Sequence, residues 1–353
     1  MKLFKFKNKY VRYTLRTLLA ILVIGIIWYF EFIVYGLGQA YGQLNIVWNT
    51  KGMKEFLEEG NYPDSTKYKF SRKITLIQEI KDFAVKELGL NGTSNYERIY
   101  DQQNKAILWA VTACEPYELK PKEWDYAFLG KMPYKGFFDS TRAYTLKSNL
   151  EKQGYDVNVY APSAWSTLGW LSDPILSNML YWNDGALASL IIHEMTHGTV
   201  WVYGGVEYNE NLADFIGERG AKLFLIHKYG KDSKEYTRFL RELSDEEKGF
   251  QYILKSTKRL DSLYQTFSPT LPTEMKKSRK EAFITEIVKG FGNLGLLNSK
   301  RLKKWLKRLP NNAFFMNYRR YRGKQDLFER ECKEQYQDDI KAYLAYLKKK
   351  YPA

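Results

Sequence analysis

Apolar residues recur every three or four positions at Ile74, Ile77, Ile80, Phe83, Ala84 and Leu88, which predicts an amphipathic helix through this stretch. The period then changes. Ala106 to Ala113 and Val157 to Tyr160 read as strands, with hairpin-like glycines and a helical stretch around Thr141 to Lys152 between them, so a small sheet is expected. Ala186 to Val202 is again mostly apolar, with Asn183 or Asp184 available as N-cap and Gly204-Gly205 as a stop. Leu187, Leu190, Ile191 and Met195 form its inward face. A second helix is expected from Asn209 as N-cap, with Glu210 in its first turn and Leu212, Phe215, Ile216, Leu223 and Phe224 buried. The short turn 204–208 makes the two helices neighbours. Beyond them the helical pattern runs almost to the end, broken by the proline-containing loop Ser268 to Thr273. The expected fold class is α+β, predominantly helical.

The amino-terminal pattern is of another kind. Lys2, Lys5, Lys7, Lys9, Arg12 and Arg16 precede the uncharged run Thr17 to Phe30, which continues past Glu31 through Phe32-Ile33-Val34-Tyr35. Residues 17–36 approach the roughly 20 needed to span a bilayer, and the basic residues lie on one side only. They predict a transmembrane signal anchor, with 1–16 as a basic cytoplasmic N-terminus and 37–353 as a domain beyond the membrane. The expected location is a single-pass protein of the inner membrane with its folded domain on the extracytoplasmic side. A cleaved signal peptide is the rival, since Gly38-Gln39-Ala40 resembles a weak cleavage site. The roughly 310 residues that remain suffice for one large domain or two lobes around a cleft.

Charge adds little to this picture. The 353 residues carry a formal net charge of +15. Part of it is the basic N-terminus, and Lys276-Lys277-Ser278-Arg279-Lys280 and the segment from Lys300-Arg301 to Lys307-Arg308 supply more. A solvated helix face is the default reading of these runs; with Trp305 among them, anionic headgroups or an acidic partner also fit. A domain outside the cytoplasm argues against nucleic acid. Cys114 lies in an apolar strand and Cys332 in a charged helix, so two free thiols are expected. Neither belongs to a metal-type spacing, and no Ser or Cys nucleophile motif stands out.

The chemistry lies in the histidines. Only three occur, and two stand four residues apart around a glutamate, His193-Glu194-Met195-Thr196-His197. Four residues along a helix turn the chain by about 400°. His193 and His197 therefore share one face, and Glu210 and Asp214 share another. A catalytic zinc takes three protein ligands and keeps a further position open. His193 and His197 supply two. Glu210 is the better third, because Asp214, one turn on, can accept the second N–H of a ligand histidine and set its tautomer. Glu207 is closer but lacks such a partner. Glu194 then acts as general base on water whose pKa the metal lowers to about 7. The bland alternative is a partly buried helix whose histidines are ordinary polar residues and whose Glu194 is a solvated charge. The coincidence of the two motifs favours a site for one Zn2+ ion. His227 fits capping of the last helical carbonyls and is left out of the site.

The stretch HEMTHGTVWVYGGVEYNENLADFIGERGA (193–221) resembles the bacterial predicted aminopeptidase family, in which HExxH is followed, after twelve intervening residues, by an Asn-Glu pair. The spacing from His197 to Glu210 is the same. Further resemblance runs through YGLGQAYGQLNIV (35–47), IKDFAVKELGL (80–90), WAVTACEPYELKPKEW (109–124), GKMPYKGFFD (130–139) and SAWSTLGWLSDPILSNML (163–180). It implies a zincin-like metallopeptidase domain with a small sheet and two active-site helices, acting on peptides as a zinc aminopeptidase. PNNAFFMNYRRY (310–321) continues the match at Asn312, Ala313 and Tyr321. Tyr321 is the implied hydrogen-bond donor to the oxyanion, against a tyrosine packed in a C-terminal helix. Family members often carry threonine where this chain has Asp214, which brings it nearer to thermolysin-like enzymes. In zincins an edge strand binds substrate backbone, and Val157-Asn158-Val159-Tyr160 with the loop 163–172 is the candidate, against a buried strand and a structural loop. The G-x-M-E-N segment that holds the substrate ammonium in other zinc aminopeptidases is absent; Glu207 and Glu218 are the possible substitutes. An envelope endopeptidase and a non-catalytic binding or scaffold protein stay open as alternatives.

Overall fold

Tyr29 divides the amino-terminal apolar run. In a computed structural model, which describes residues 9–126, 130–162, 172–297, 300–320 and 325–352, the chain forms two units, Met1–Asn49 and Thr50–Ala353. The first carries α1 (Lys9–Trp28) and α2 (Phe30–Trp48), which meet at Tyr29, a residue outside the helical region at φ −102° and ψ 12°. Among the described residues no helix is long and apolar enough to cross a membrane. This corrects the transmembrane anchor predicted over 17–36, and with it attachment through that helix and the single-pass inner-membrane location. The physical reason is length. The first half of α1 includes Arg12 and Arg16, and its uncharged part, Thr17–Trp28, extends about 18 Å at 1.5 Å per residue, against about 30 Å of hydrocarbon. In α2, Glu31, Gln39, Gln43 and Asn45 interrupt the apolar sequence.

The second unit opens with β1 (Thr50–Gly52), α3 (Met53–Glu59) and α4 (Asp64–Phe83), whose end widens into a π-helical turn over Ala84–Leu88. Next come β2 (Arg98–Tyr100), β3 (Trp109–Cys114), β4 (Trp124–Tyr126), β5 (Gly130–Met132), β6 (Lys135–Phe137), α5 (Ser140–Lys152) and β7 (Asp156–Tyr160). A two-residue strand β8 (Ile175–Leu176) and a 3-10 turn (Ser177–Tyr181) lead into the helices α6 (Asp184–His197), α7 (Val206–Tyr229) and α8 (Lys234–Gln265). The unit closes with α9 (Thr273–Gly292), α10 (Lys300–Lys307), α11 (Asn312–Arg320), α12 (Gln325–Tyr336) and α13 (Ile340–Lys350). About two-thirds of the structure is helical.

The two strands read from the sequence, β3 and β7, pair antiparallel in a small sheet as expected. The other described strands are short and dispersed, so that three separate sheets form, β1-β2-β8, β6-β3-β7 and β4-β5. In the first, β2 runs antiparallel to β1 and parallel to β8, with Ile99 opposite Ile175. The Tyr96 N–H also donates to the Asp173 carbonyl, which holds the approach to α6 beside residues 96–100. In the second, β7 pairs antiparallel with β3 from Ala110↔Tyr160 to Cys114↔Asp156 and forms one end of the sheet. Cys114 and Cys332 are both free and buried.

Behind β3 lies a core of Ile253 and Leu260 from α8, Ile284, Ile287 and Phe291 from α9, and Trp305 and Phe315. Trp305, offered by the basic segment as a partner contact, is instead 5% exposed and packs edge-on against Phe291 and Phe314. A polar knot ties this core to the sheet. The Lys280 ammonium donates to Asp156 and to the Pro116 carbonyl. The Asn312 N–H donates to the same Asp156 carboxylate, its side-chain amide to the Glu115 and Pro116 carbonyls, and its Oδ1 accepts from Tyr264. Asn311 donates to the Val157 carbonyl. The Asn-Asn pair thus bolts α11 to the sheet. Asp156→Ala would strand the nearly buried Lys280 charge, and a loss of about 3 kcal/mol is expected in urea unfolding. A loss under about 1 kcal/mol would mean that the knot relaxes or lets in water.

Candidate active site

The site is built on α6 and α7. Asn183 starts α6, its Oδ1 accepting the Ala186 N–H at 2.9 Å. Leu187, Ala188, Ile191, Ile192 and Met195 are buried, and Leu190 is half-buried. The helix ends at His197, short of the predicted Val202. Val200 makes a strand-like bridge with Pro352, and the Trp201 N–H donates to the Tyr351 carbonyl at 3.2 Å, so the backbone leaves the helix for a partner far along the chain. Similarly α7 begins at Val206, ahead of the predicted cap at Asn209. The Asn209 side chain is 2% exposed and clamps the loop instead, with Oδ1 on the Val202 N–H and Nδ2 on the Val202 carbonyl, both at 2.9 Å. On α7, Leu212, Phe215, Ile216 and Phe224 are buried as the pattern predicts, whereas Leu223 is 43% exposed and Leu225 takes an inward position.

Glycines let the two helices touch at the site. A Cβ on Gly217 would lie 2.7 Å from the Ser189 carbonyl and 3.2 Å from the His193 Cβ, and one on Gly220 would meet Leu88 and Ile192. This close approach brings His193, His197 and Glu210 together, one ligand-type atom from each lying within 4.8 Å of the others. His193 Nε2 is 3.1 Å from His197 Nε2 and 3.7 Å from Glu210 Oε2; His197 Nε2 is 3.5 Å from Glu210 Oε1. Asp214 Oδ1 lies 2.9 Å from His193 Nδ1, which leaves Nε2 as the atom facing the other two. His197 Nδ1 is buried without a hydrogen-bond partner among the described residues. Two imidazole nitrogens and a carboxylate oxygen converging on one point are a donor set that suits a divalent cation of borderline softness, and the Asp214 bond is the outer support such a ligand uses.

Burial and neighbouring charges compete at each of these groups. Burial lowers the His193 imidazole, but hydrogen bonds to Asp214 and Glu210 outweigh it and push it up to about 10. Burial and the neighbouring His193 charge lower His197. Burial pushes Glu194 up to about 7, the His193 charge opposing and the carboxylates of Glu210, Asp173 and Asp214 assisting. For Glu210 burial works upward, and the two histidines more than offset it and hold the carboxyl low. A cation would replace the proton between these groups.

A family model described as "Putative aminopeptidase" matches residues 34–350. The chain belongs to this family. The aminopeptidase-family segment begins within α2 and takes in every site residue above. No curated protein and no solved structure matches the chain.

The other expected participants are not part of this cluster as described. Tyr321 and residues 163–171 of the candidate substrate loop fall outside the described residues. Val157–Tyr160 lies at the end of its sheet, against α5 and α11. Glu207 is exposed on the first turn of α7, Glu218 is half-buried two turns beyond Glu210, and the His227 ring packs against Phe83. Sequence reasoning missed two neighbours. Asp173, 3% exposed, contributes to the field at Glu194, and no spacing signal pointed to it. Trp201 packs its ring edge-on against His197, with centroids 5.7 Å apart. Its step of four from His197 was the available signal.

Proposed function

We propose that this protein is a metal-dependent peptidase, of aminopeptidase type, with zinc as the cation. The observation that carries this is the convergence of His193, His197 and Glu210, with Asp214 tied to His193 Nδ1 at 2.9 Å. Held by those three side chains, a zinc ion would polarise the scissile carbonyl and lower the pKa of water at the site. Asp214 fixes the His193 ring with Nε2 toward the site. Glu194, next along the chain from His193, takes a proton from the attacking water and passes it to the leaving amine. Burial pushes its carboxyl up to about 7 without a cation, and a cation beside it would draw it back down, so that the carboxylate is ready to accept the proton near neutral pH. The aminopeptidase assignment follows the family description.

The test is metal content of the purified full chain by elemental mass spectrometry, beside Glu210→Ala. One tightly held zinc in the wild type, lost or much weakened in the variant, is expected. No zinc in either protein after zinc addition would defeat the reading. Cleavage of free and N-acetylated peptides then tests the exopeptidase part: equal rates would make the protein an endopeptidase.

A further inference from the structure

The loop that joins the two ligand helices is apolar and firmly held. From Gly198 to Gly205 it carries no charged residue. Its first turn is fixed by Thr199, whose Oγ1 donates to the Met195 carbonyl and accepts from the Asn91 N–H. Its middle is fixed by the bridge of Val200 with Pro352, the bond from the Trp201 N–H to the Tyr351 carbonyl, and the two bonds between Asn209 and Val202, one donated by each. These restraints set Trp201, half-buried, beside His197 with ring centroids 5.7 Å apart at 71°. Farther along the loop, Tyr203 is 87% exposed and Val206, at the start of α7, is 58% exposed.

We infer that Trp201 is a specificity-determining residue, forming an apolar wall that selects peptides with a large aliphatic or aromatic side chain next to the scissile bond. This deepens the peptidase reading and rests on it. A carbonyl engaged at the His193, His197 and Glu210 cluster would set its flanking side chains close to the His197 ring, against which Trp201 packs. An indole face gains from burying leucine, methionine or phenylalanine and gains nothing from a serine or aspartate that must shed water there. Because the backbone is already tied, little ordering is needed when substrate arrives.

A peptide panel varied at the two residues flanking the cleaved bond tests this, with Leu, Phe, Ala, Ser and Asp at each. The wild type should prefer Leu or Phe over Ser by about tenfold or more in kcat/KM. Trp201→Ala should flatten that preference to within about threefold, and Trp201→Phe should restore most of it. In parallel, dissociation constants of the same peptides are measured by calorimetry on zinc-loaded Glu194→Gln, with and without Trp201→Ala, where no turnover is needed. The same flattening in affinity is expected. A Trp201→Ala protein that loses metal affinity and all rates equally, with selectivity intact, would make Trp201 a mere support for His197 and overturn the inference. So would a wild type indifferent to the flanking side chains. Failure of the peptidase reading shows separately, as a zinc-holding wild type that cleaves no peptide of the panel; calorimetry then still decides whether Trp201 recognises apolar side chains.

Discussion

Glu194→Gln is expected to lower peptide hydrolysis by about a thousandfold or more while zinc content stays near that of the wild type. Glutamine keeps the shape and one hydrogen-bonding oxygen but cannot take a proton, and it removes no member of the His193, His197 and Glu210 cluster. Stability should move the other way. The folded-state pKa of Glu194 is raised to about 7, so ionising it costs folding energy that grows as pH rises from its unfolded value and is complete above about 7. Glutamine escapes that cost, and the metal-free variant should be at least as stable as the wild type at pH 8. Lost activity could then not be assigned to misfolding. In the wild type, kcat/KM should rise with pH as Glu194 loses its proton. Because a cation in the site pulls the carboxyl down, as the His193 charge already does, the acid limb should fall below pH 7. Hydrolysis within tenfold of wild type in Glu194→Gln would remove Glu194 from the mechanism.

The candidate cluster was legible because its geometry is local. Steps of four residues on a helix fix which side chains share a face; that Asp214 pairs with His193 rather than His197 is set by how closely the two helices pack. What escaped was decided by distant contacts. The apolar run to Val202 looks helical throughout, yet Val200 and Trp201 pair with residues 352 and 351, which no local pattern near residue 200 can announce. Asn209 is a fitting N-cap by residue type, but the Val202 peptide offered it two partners and the helix began earlier. At the amino terminus, counting uncharged residues took no account of the break at Tyr29. Of the strands only β3 and β7 were legible, within a few residues; the others are two or three residues long, too short for a periodic signal, and their pairings, such as Ile99 with Ile175, join residues far apart in sequence.

Gly217→Ala is the second substitution with a large expected effect, because this glycine sets the separation of the two ligand helices. Replacing an exposed mid-helix glycine with alanine ordinarily gains about 1 kcal/mol. Here the added methyl would stand 2.7 Å from the Ser189 carbonyl and 3.2 Å from the His193 Cβ, and the nearer contact is backbone that cannot turn aside. The overpacking penalty, about 1–3 kcal/mol, should therefore exceed the propensity gain, and α7 should be driven from α6 at the level of His193. Since His193 and His197 ride on one helix and Glu210 on the other, the same displacement should weaken zinc binding about tenfold or more. Gly220→Ala supplies the graded comparison. Its methyl meets Leu88 Cδ1 at 2.8 Å and Ile192 Cγ2 at 2.9 Å, the first the end of a flexible side chain, so a smaller loss in both measurements is expected. Urea unfolding of the metal-free proteins and competition titration of zinc would read the two effects independently. If Gly217→Ala were as stable as the wild type and bound zinc equally well, the helices could part at His193 without cost, and close packing there would not be what assembles the site.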